Sequence, residues 1–290
     1  MNSMSAAAAD AGLWALLAGP FIEFGFMRRA LAGCVALSLG CAPVGVFLLL
    51  RRMSLTGDAM AHAILPGAAI GYLLAGLSLP AMTLGGALAG LLVAAASGVV
   101  ARATVLREDA SMAAFYLLSL ALGVLIVSTR GSNVDLLHVL FGTVLALDDA
   151  ALWLIAGIAA FTLAALALLL RPLAAECMDP GFLRSVAPRW SAAAHYGFLA
   201  LLVLNLVAGF HALGTLMAVG IMVLPAASAR LWARSLGGML ALAACVAGLL
   251  LSYHLGWPAS SVIVLCLGAG YIASLALGPQ GLWRGQARAH

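Results

Sequence analysis

Read for its hydrophobic and polar positions, the chain is a succession of long apolar runs broken by short polar clusters. The runs fall near residues 30–50, 60–78, 80–101, 112–129, 150–170, 193–210, 214–229, 236–255 and 260–277. A helix needs about 20 apolar residues to cross a hydrocarbon layer about 30 Å thick, and most of these runs meet or approach that length. The pattern therefore predicts an all-α, polytopic membrane helix bundle of about nine transmembrane helices. Pro80 and Pro258 mark tight connections between runs. Residues 11–26, with Pro20 and Glu23, read as an interfacial helix ahead of the first span. Residues 133–148 are only partly apolar and too short to cross with ease, so they read as a short helix or re-entrant segment. The predicted organisation is an N-terminal interfacial segment, 1–29, a transmembrane domain, 30–278, and a polar tail, 279–290.

Composition turns the pattern into a statement about solvent. Hydrophobic residues make up 65% of the chain and charged residues 8%, against roughly 25% charged in soluble domains. Too few charges are available for a water-facing surface, so the solvent is lipid. The 32 glycines suit close helix contacts, with small-residue faces at Gly67-x-x-x-Gly71 and Gly86-x-x-x-Gly90. Cys34, Cys41, Cys177, Cys245 and Cys266 form no Cys-x-x-Cys pair. They read as small buried hydrophobes and not as a disulfide framework or zinc cluster. The N-terminus lacks the early positive charge of a cleaved signal peptide.

Charge then orients the bundle. All 14 basic residues are arginine. With nine spans, Arg51, Arg52, Arg102, Arg107, Arg171, Arg184, Arg189, Arg230, Arg234, Arg284 and Arg288 fall on one side, and Arg28, Arg29 and Arg130 on the other. Positive charge collects on the cytoplasmic side, which puts the N-terminus outside and the C-terminus inside. A full crossing by 133–148 would place the later arginines outside, so the charge rule opposes a tenth span. The net charge of +4 carries no nucleic-acid signal in this setting. Without lysine, the phosphate-binding motif Gly-x-x-x-x-Gly-Lys-Ser/Thr is impossible. Any uphill transport draws either on ATP hydrolysed by another chain or on an ion gradient.

Few residues can carry chemistry. Asp58 and His62, at the start of the second span, are four apart and share one helix face. A carboxylate deep in hydrocarbon costs about 2.5–3.5 kcal/mol. The pair offers an oxygen and an imidazole nitrogen, ligands suited to zinc, manganese or ferrous iron. Equally, an Asp–His pair can simply tie two helices together. His138, with Asp135 three residues earlier, sits in the short 133–148 segment; His195 enters the sixth span from the cytoplasmic side; His211 and His254 fall near outer span ends. Each reads first as a capping or interfacial residue. In the loop after the fifth span, Asp179 can cap a short helix beginning at Pro180, and Pro188 ends it. Such a helix either docks into a partner groove or only connects two spans. Glu108-Asp109 sits at a helix start, where the dipole explains it. No hydrolase or metalloprotease motif is present.

At this point four stretches carry a resemblance. Arg51-Arg-Met-Ser-Leu-Thr-Gly-Asp58-Ala-Met-Ala-His62-Ala-Ile-Leu-Pro66-Gly67 is similar to the Arg-Arg-Met-Ser…Gly-Asp-Ala-x-Ser-His-Ala-x-Leu-Pro-Gly pattern of the membrane permease subunits of bacterial ABC importers for zinc and manganese. Glu108-Asp109 with Leu120–Gly123 and Ser128, then Asp135–Ala146, follow in the family's order. Leu213–Arg230, containing Pro225-Ala-Ala-Ser-Ala-Arg230, resembles the family's Ile-Ile-Pro-Ala-Ala-Thr-Ala-Arg. The resemblance covers about residues 28 to 277. Two departures stand out: Ala61 occupies the serine position before the histidine, and Gly181 occupies that of a second acid two residues after Asp179.

The resemblance implies a permease of the bacterial inner membrane working as a homodimer, with two cytoplasmic ATP-binding subunits and an extracytoplasmic metal-binding protein. It implies that Asp58 and His62 lie in or near the metal path, with zinc the first-expected cargo and manganese the next. Segment 179–187 is implied to be the helix that couples to the ATPase, through Asp179, Phe182, Leu183, Arg184 and Val186. No cofactor is expected to be permanently bound; the metal is cargo and ATP belongs to the partner chain. An importer of iron chelates or cobalamin and a gradient-driven secondary metal transporter remain as alternatives.

Overall fold

A computed structural model describes residues 18–76, 78–105, 108–130, 147–232 and 237–278. Among them the chain is all α-helical, with nine long helices and one short one. In chain order these are α1 (Gly25–Leu50), α2 (Ser54–Ala75), α3 (Leu79–Ala103), α4 (Glu108–Arg130), α5 (Asp149–Met178), α6 (Pro180–Val186), α7 (Pro188–Leu213), α8 (Thr215–Trp232), α9 (Gly237–Leu255) and α10 (Ala259–Leu277). Seven helices are long and apolar enough to cross a membrane by themselves, while α8 and α9 carry the shorter apolar stretches Met217–Trp232 and Met239–Leu255. Residues 18–23 form one further short helical segment, which breaks at Phe24. The N-terminal part of the predicted interfacial helix and most of 133–148 lie outside the described residues.

Each predicted apolar run falls mainly within one long helix; most helices extend beyond their runs, while the run 60–78 outlasts α2, which ends at Ala75. α2 begins at Ser54 and α5 runs to Met178. A backbone leaving hydrocarbon still has to satisfy its polar groups through the interfacial layer, and helix is the economical way. Polar residues at the ends therefore join helices that an apolar window cuts short.

Direction alternates along the chain, and side-chain contacts fix which ends lie together. Arg51, at the end of α1, meets Glu176 at the end of α5 and His195 at the start of α7. At the opposite end, Arg29 pairs with Asp149, and the Phe24 ring lies 5.7 Å from that of Tyr253. The end of α8 meets the end of α10, where Gly278 lies against Leu231. The arginine-rich end thus gathers the C-termini of α1, α5, α8 and α10 with α6 and the start of α7.

Close packing depends on small residues. α2 and α3 touch backbone to backbone: a Cβ on Gly67 would fall onto the Gly85 carbonyl, and one on Gly71 onto that of Ala81. Gly123 on α4 packs against the ring of Pro66, and Gly45 on α1 packs against the Met222 carbonyl on α8. Gly86 and Gly90 face Ile64 and Val203, so both glycine pairs seen in the sequence are contact faces. At mid-depth, Asn205 of α7 donates to Thr162 Oγ1 of α5 and to the Leu201 carbonyl, both at 2.8 Å. The core includes Phe198, Leu202, Leu206, Met60 and Ile64, all buried. All five cysteines are free thiols, and Cys34, Cys41 and Cys245 are buried, as expected of small hydrophobes.

Candidate functional site

The turn from α1 into α2 builds the region. Arg51 caps α1, the Arg52 amide donates to the Leu49 carbonyl at 3.2 Å, and the Met53 amide donates to the Leu48 carbonyl at 3.0 Å. This is a Schellman stop, sealed by buried Met53 and Leu48. Its pivot is usually glycine because φ must be positive there; here it is Arg52, at φ 59°. The stop turns the chain sharply and starts α2 at once, so Asp58 and His62 both lie within regular helix.

That places Asp58 and His62 on one face, with His62 Nε2 3.8 Å from Asp58 Oδ1. The carboxylate is 67% exposed and the imidazole 30%. The other face of the ring packs against Tyr116 of α4, centroids 6.4 Å apart and planes 29° apart. His62 Nδ1 is buried and has no hydrogen-bond partner among the described residues. α2 has 22 residues and is about 33 Å long at 1.5 Å per residue. Asp58 thus sits about one turn, and His62 about two turns, from the arginine-rich end. The same face carries Leu55, which is 77% exposed. The pair supplies one oxygen and one nitrogen donor, half of a four-coordinate metal shell. Among the described residues no group of three or more His, Cys, Asp or Glu side chains is placed to hold a metal ion.

A second cluster lies beneath this turn and was not singled out in the sequence. Arg51 Nη2 is 2.7 Å from His195 Nδ1 and 3.4 Å from Glu176 Oε1, and His195 and Glu176 are 3.8 Å apart. The guanidinium also lies 5.1 Å over the Phe198 ring. All three side chains are at most 8% exposed. The sequence signal was present but divided: a charge at the end of one apolar run, another in a loop that is in fact helix, and a lone histidine.

The loop after α5 folds as its residues require. Asp179 Oδ1 accepts from the Phe182 amide at 2.9 Å and caps α6, while Pro188 opens α7. Of the residues expected to couple to a partner, Leu183 is buried, Arg184 is exposed, and Phe182 and Val186 are 62% and 66% exposed. Phe182 and Val186, four apart on α6, form a short exposed apolar strip at the arginine-rich end, with exposed Met178 at the end of α5 and exposed Trp190 in the first turn of α7. A cavity near this strip is lined by Arg51, Arg52, Asp109, Glu176, Pro180 and Arg184, among others.

Neither His195 nor His254 joins the Asp58–His62 pair. His195 belongs to the buried cluster, and His254 stacks edge-on with Tyr253 at the opposite end. His211 falls in the last turn of α7, and His138 lies outside the described residues.

Comparison with known proteins converges on one kind of protein. The family model described as the ABC 3 transport family matches residues 23–278. The chain is 33% identical to the manganese import system permease protein ScaB of Streptococcus parasanguinis, over 89% of this chain and 92% of that one. It is 32% identical to the manganese transport system membrane protein MntC of Halalkalibacterium halodurans, over 91% and 93%. It is 30% identical to the chelated iron transport system membrane protein YfeD of Yersinia pestis, over 91% and 89%. Among solved structures it resembles PsaBC from Streptococcus pneumoniae in complex with Fab, with a TM-score of 0.80 and 28% identity over 93% of this chain and 98% of that one.

Proposed function

The chain belongs to the ABC 3 transport family, and on that premise we propose that it is the membrane-spanning permease of an ATP-driven importer whose cargo is a divalent transition metal, manganese first. It is a multi-pass membrane transport subunit and not an enzyme; ATP hydrolysis falls to a separate chain. The expected order of cargo reverses: the relatives above are named for manganese and chelated iron, so manganese stands ahead of zinc.

The observation that carries the reading is the Asp58–His62 pair, a 67% exposed carboxylate beside an imidazole on a helix of an apolar bundle. A carboxylate deep in hydrocarbon costs about 2.5–3.5 kcal/mol; one turn from the helix end the cost is lower, but lipid still offers Asp58 no partner, whereas a water-filled path or another protein does. A second copy of the chain, apposed along this face of α2, would enclose the path and bring two oxygens and two nitrogens to it. Hard oxygen plus imidazole suits manganese, zinc and ferrous iron alike. Two donors from one subunit bind weakly, so the ion is held only while both copies present their pairs and is released when the bundle rearranges; a permanently complete tetrahedral site would trap it.

The rest of the machine follows. Nine spans run through the 30–278 permease domain, with 1–29 ahead of it and 279–290 as a cytoplasmic tail. The arginine-rich end is cytoplasmic and the N-terminus lies outside. There α6 docks on the ATP-binding subunit, with Phe182 and Val186 entering its groove, Leu183 anchoring the helix below, and Asp179 and Arg184 setting its start and rim. An extracytoplasmic metal-binding protein delivers cargo to the other end. The bundle alternates between two discrete arrangements as the ATPases close.

Reconstitution with the ATP-binding and metal-binding partners tests the reading. Manganese should stimulate ATP hydrolysis and accumulate in vesicles, more strongly than zinc. Stimulation by an iron chelate and not by free manganese would favour the second reading, a chelate importer, for which Asp58 and His62 would be dispensable. Uptake by this subunit alone, driven by an ion gradient, would contradict both.

A further inference from the structure

We propose that the buried Arg51–Glu176–His195 cluster is the mechanical link between α6 and the metal pair, so that Arg51 and Glu176 are positioning residues for transport. This rests on the reading of α6 as the ATPase-docking helix and of Asp58–His62 as the metal path. The connectivity carries it. Glu176 lies three residues before Asp179, the cap of α6, and His195 lies on α7, which follows α6 directly. Both helices flanking α6 are therefore gripped by one guanidinium, through contacts of 3.4 Å and 2.7 Å. Arg51 is itself the cap of α1, and only the Arg52 pivot and Met53 separate it from α2, which bears Asp58 and His62. The cluster also reaches α3, since Gly98 lies against His195 and Tyr196.

Burial makes a purely stabilising role a poor explanation. The three side chains are at most 8% exposed, and desolvating such groups costs about as much as their attraction returns. Apolar residues of similar volume hold helices together at least as well. What an ion pair adds is direction. A guanidinium fork keeps its partners at fixed angles as helices move, or lets go as a unit, whereas greasy contacts slide. A displacement of α6 by the ATPase thus moves the ends of α5 and α7, then Arg51, then the start of α2.

The test separates linkage from stability in the complex of permease and ATPase reconstituted with the metal-binding protein. Glu176→Gln keeps the shape and loses the charge. The double variant Arg51→Met/Glu176→Leu replaces the pair by apolar groups of similar volume. Both should assemble with the ATPase and hydrolyse ATP in the absence of metal as wild type does. In both, manganese moved per ATP hydrolysed should fall by at least about tenfold, within the range of coupling between distant sites. The double variant should melt no lower than wild type. A folded variant that keeps the wild-type ratio of metal to ATP overturns the proposal, as does a double variant whose loss of transport tracks a lowered melting temperature while Glu176→Gln transports normally. Failure of the wild-type complex to move manganese at all would instead overturn the functional reading beneath it.

Discussion

Substituting Gly67 by alanine should destabilise the bundle, and substituting Gly157 should not. A Cβ on Gly67 would overlap the Gly85 carbonyl oxygen, come within 2.7 Å of its carbon and lie 2.6 Å from Ala89 Cβ. Carbon atoms rest at about 3.5–4.0 Å, so α2 and α3 must part locally by about 1 Å, and each contact on that face weakens. Overpacking of this kind costs about 1–3 kcal/mol. Alanine returns up to about 1 kcal/mol through helix propensity. The net loss is about 1–2 kcal/mol, which lowers Tm by roughly 2–6 °C in a protein of this size. Gly157, on α5, has no atom within 4 Å of an added Cβ; there only the propensity gain applies, and Tm should hold or rise slightly. Tryptophan fluorescence of the detergent-solubilised protein during heating reads both, since the chain has six tryptophans. If Gly67→Ala melts with Gly157→Ala, the backbone contact between α2 and α3 is not what holds α2 in place.

Three further outcomes follow from single sites. Asn205→Leu removes two hydrogen bonds of 2.8 Å, one joining α7 to Thr162 of α5 and one to the Leu201 carbonyl within α7; it should cost about 1–2 kcal/mol, with a smaller loss for Thr162→Val, both read as Tm. Arg52→Gly relieves the positive φ of 59° and should stabilise by about 1 kcal/mol, again seen as a higher Tm. Asp179→Ala deletes the cap of α6 at a cost of about 1 kcal/mol to that seven-residue helix; co-purification of the ATP-binding subunit should weaken while the Tm of the permease is unchanged.

Helix positions and the Asp58–His62 spacing were legible because each depends on one local period. Apolar runs declare their helices, and a spacing of four within a helix needs no tertiary knowledge. The cap at Asp179 was equally local, since Asp-Pro followed by an apolar turn leaves few alternatives. The Arg51–Glu176–His195 cluster was not legible. Its members are separated by 125 and 144 residues from Arg51, and a pairwise contact across three helices leaves no period in any one of them. The charge rule did not help: it counted Arg51 only for the side of the bundle on which it falls, and says nothing of burial, yet its side chain is 8% exposed. The glycines were legible as packing faces but not as partners. Which helix Gly67 meets depends on the α2–α3 hairpin, and that is a property of the turn and not of the span.

The central claim is that Asp58 and His62 hold the cargo as it passes. The most direct measurement is the initial rate of ATP-dependent manganese uptake into vesicles containing the fully assembled complex, for wild type, Asp58→Asn and His62→Gln. Both substitutions keep size and remove a ligand, and loss of a metal contact should lower the rate by at least about tenfold, with assembly and metal-free ATP hydrolysis unchanged. Assembled variants that import manganese at the wild-type rate would contradict the account.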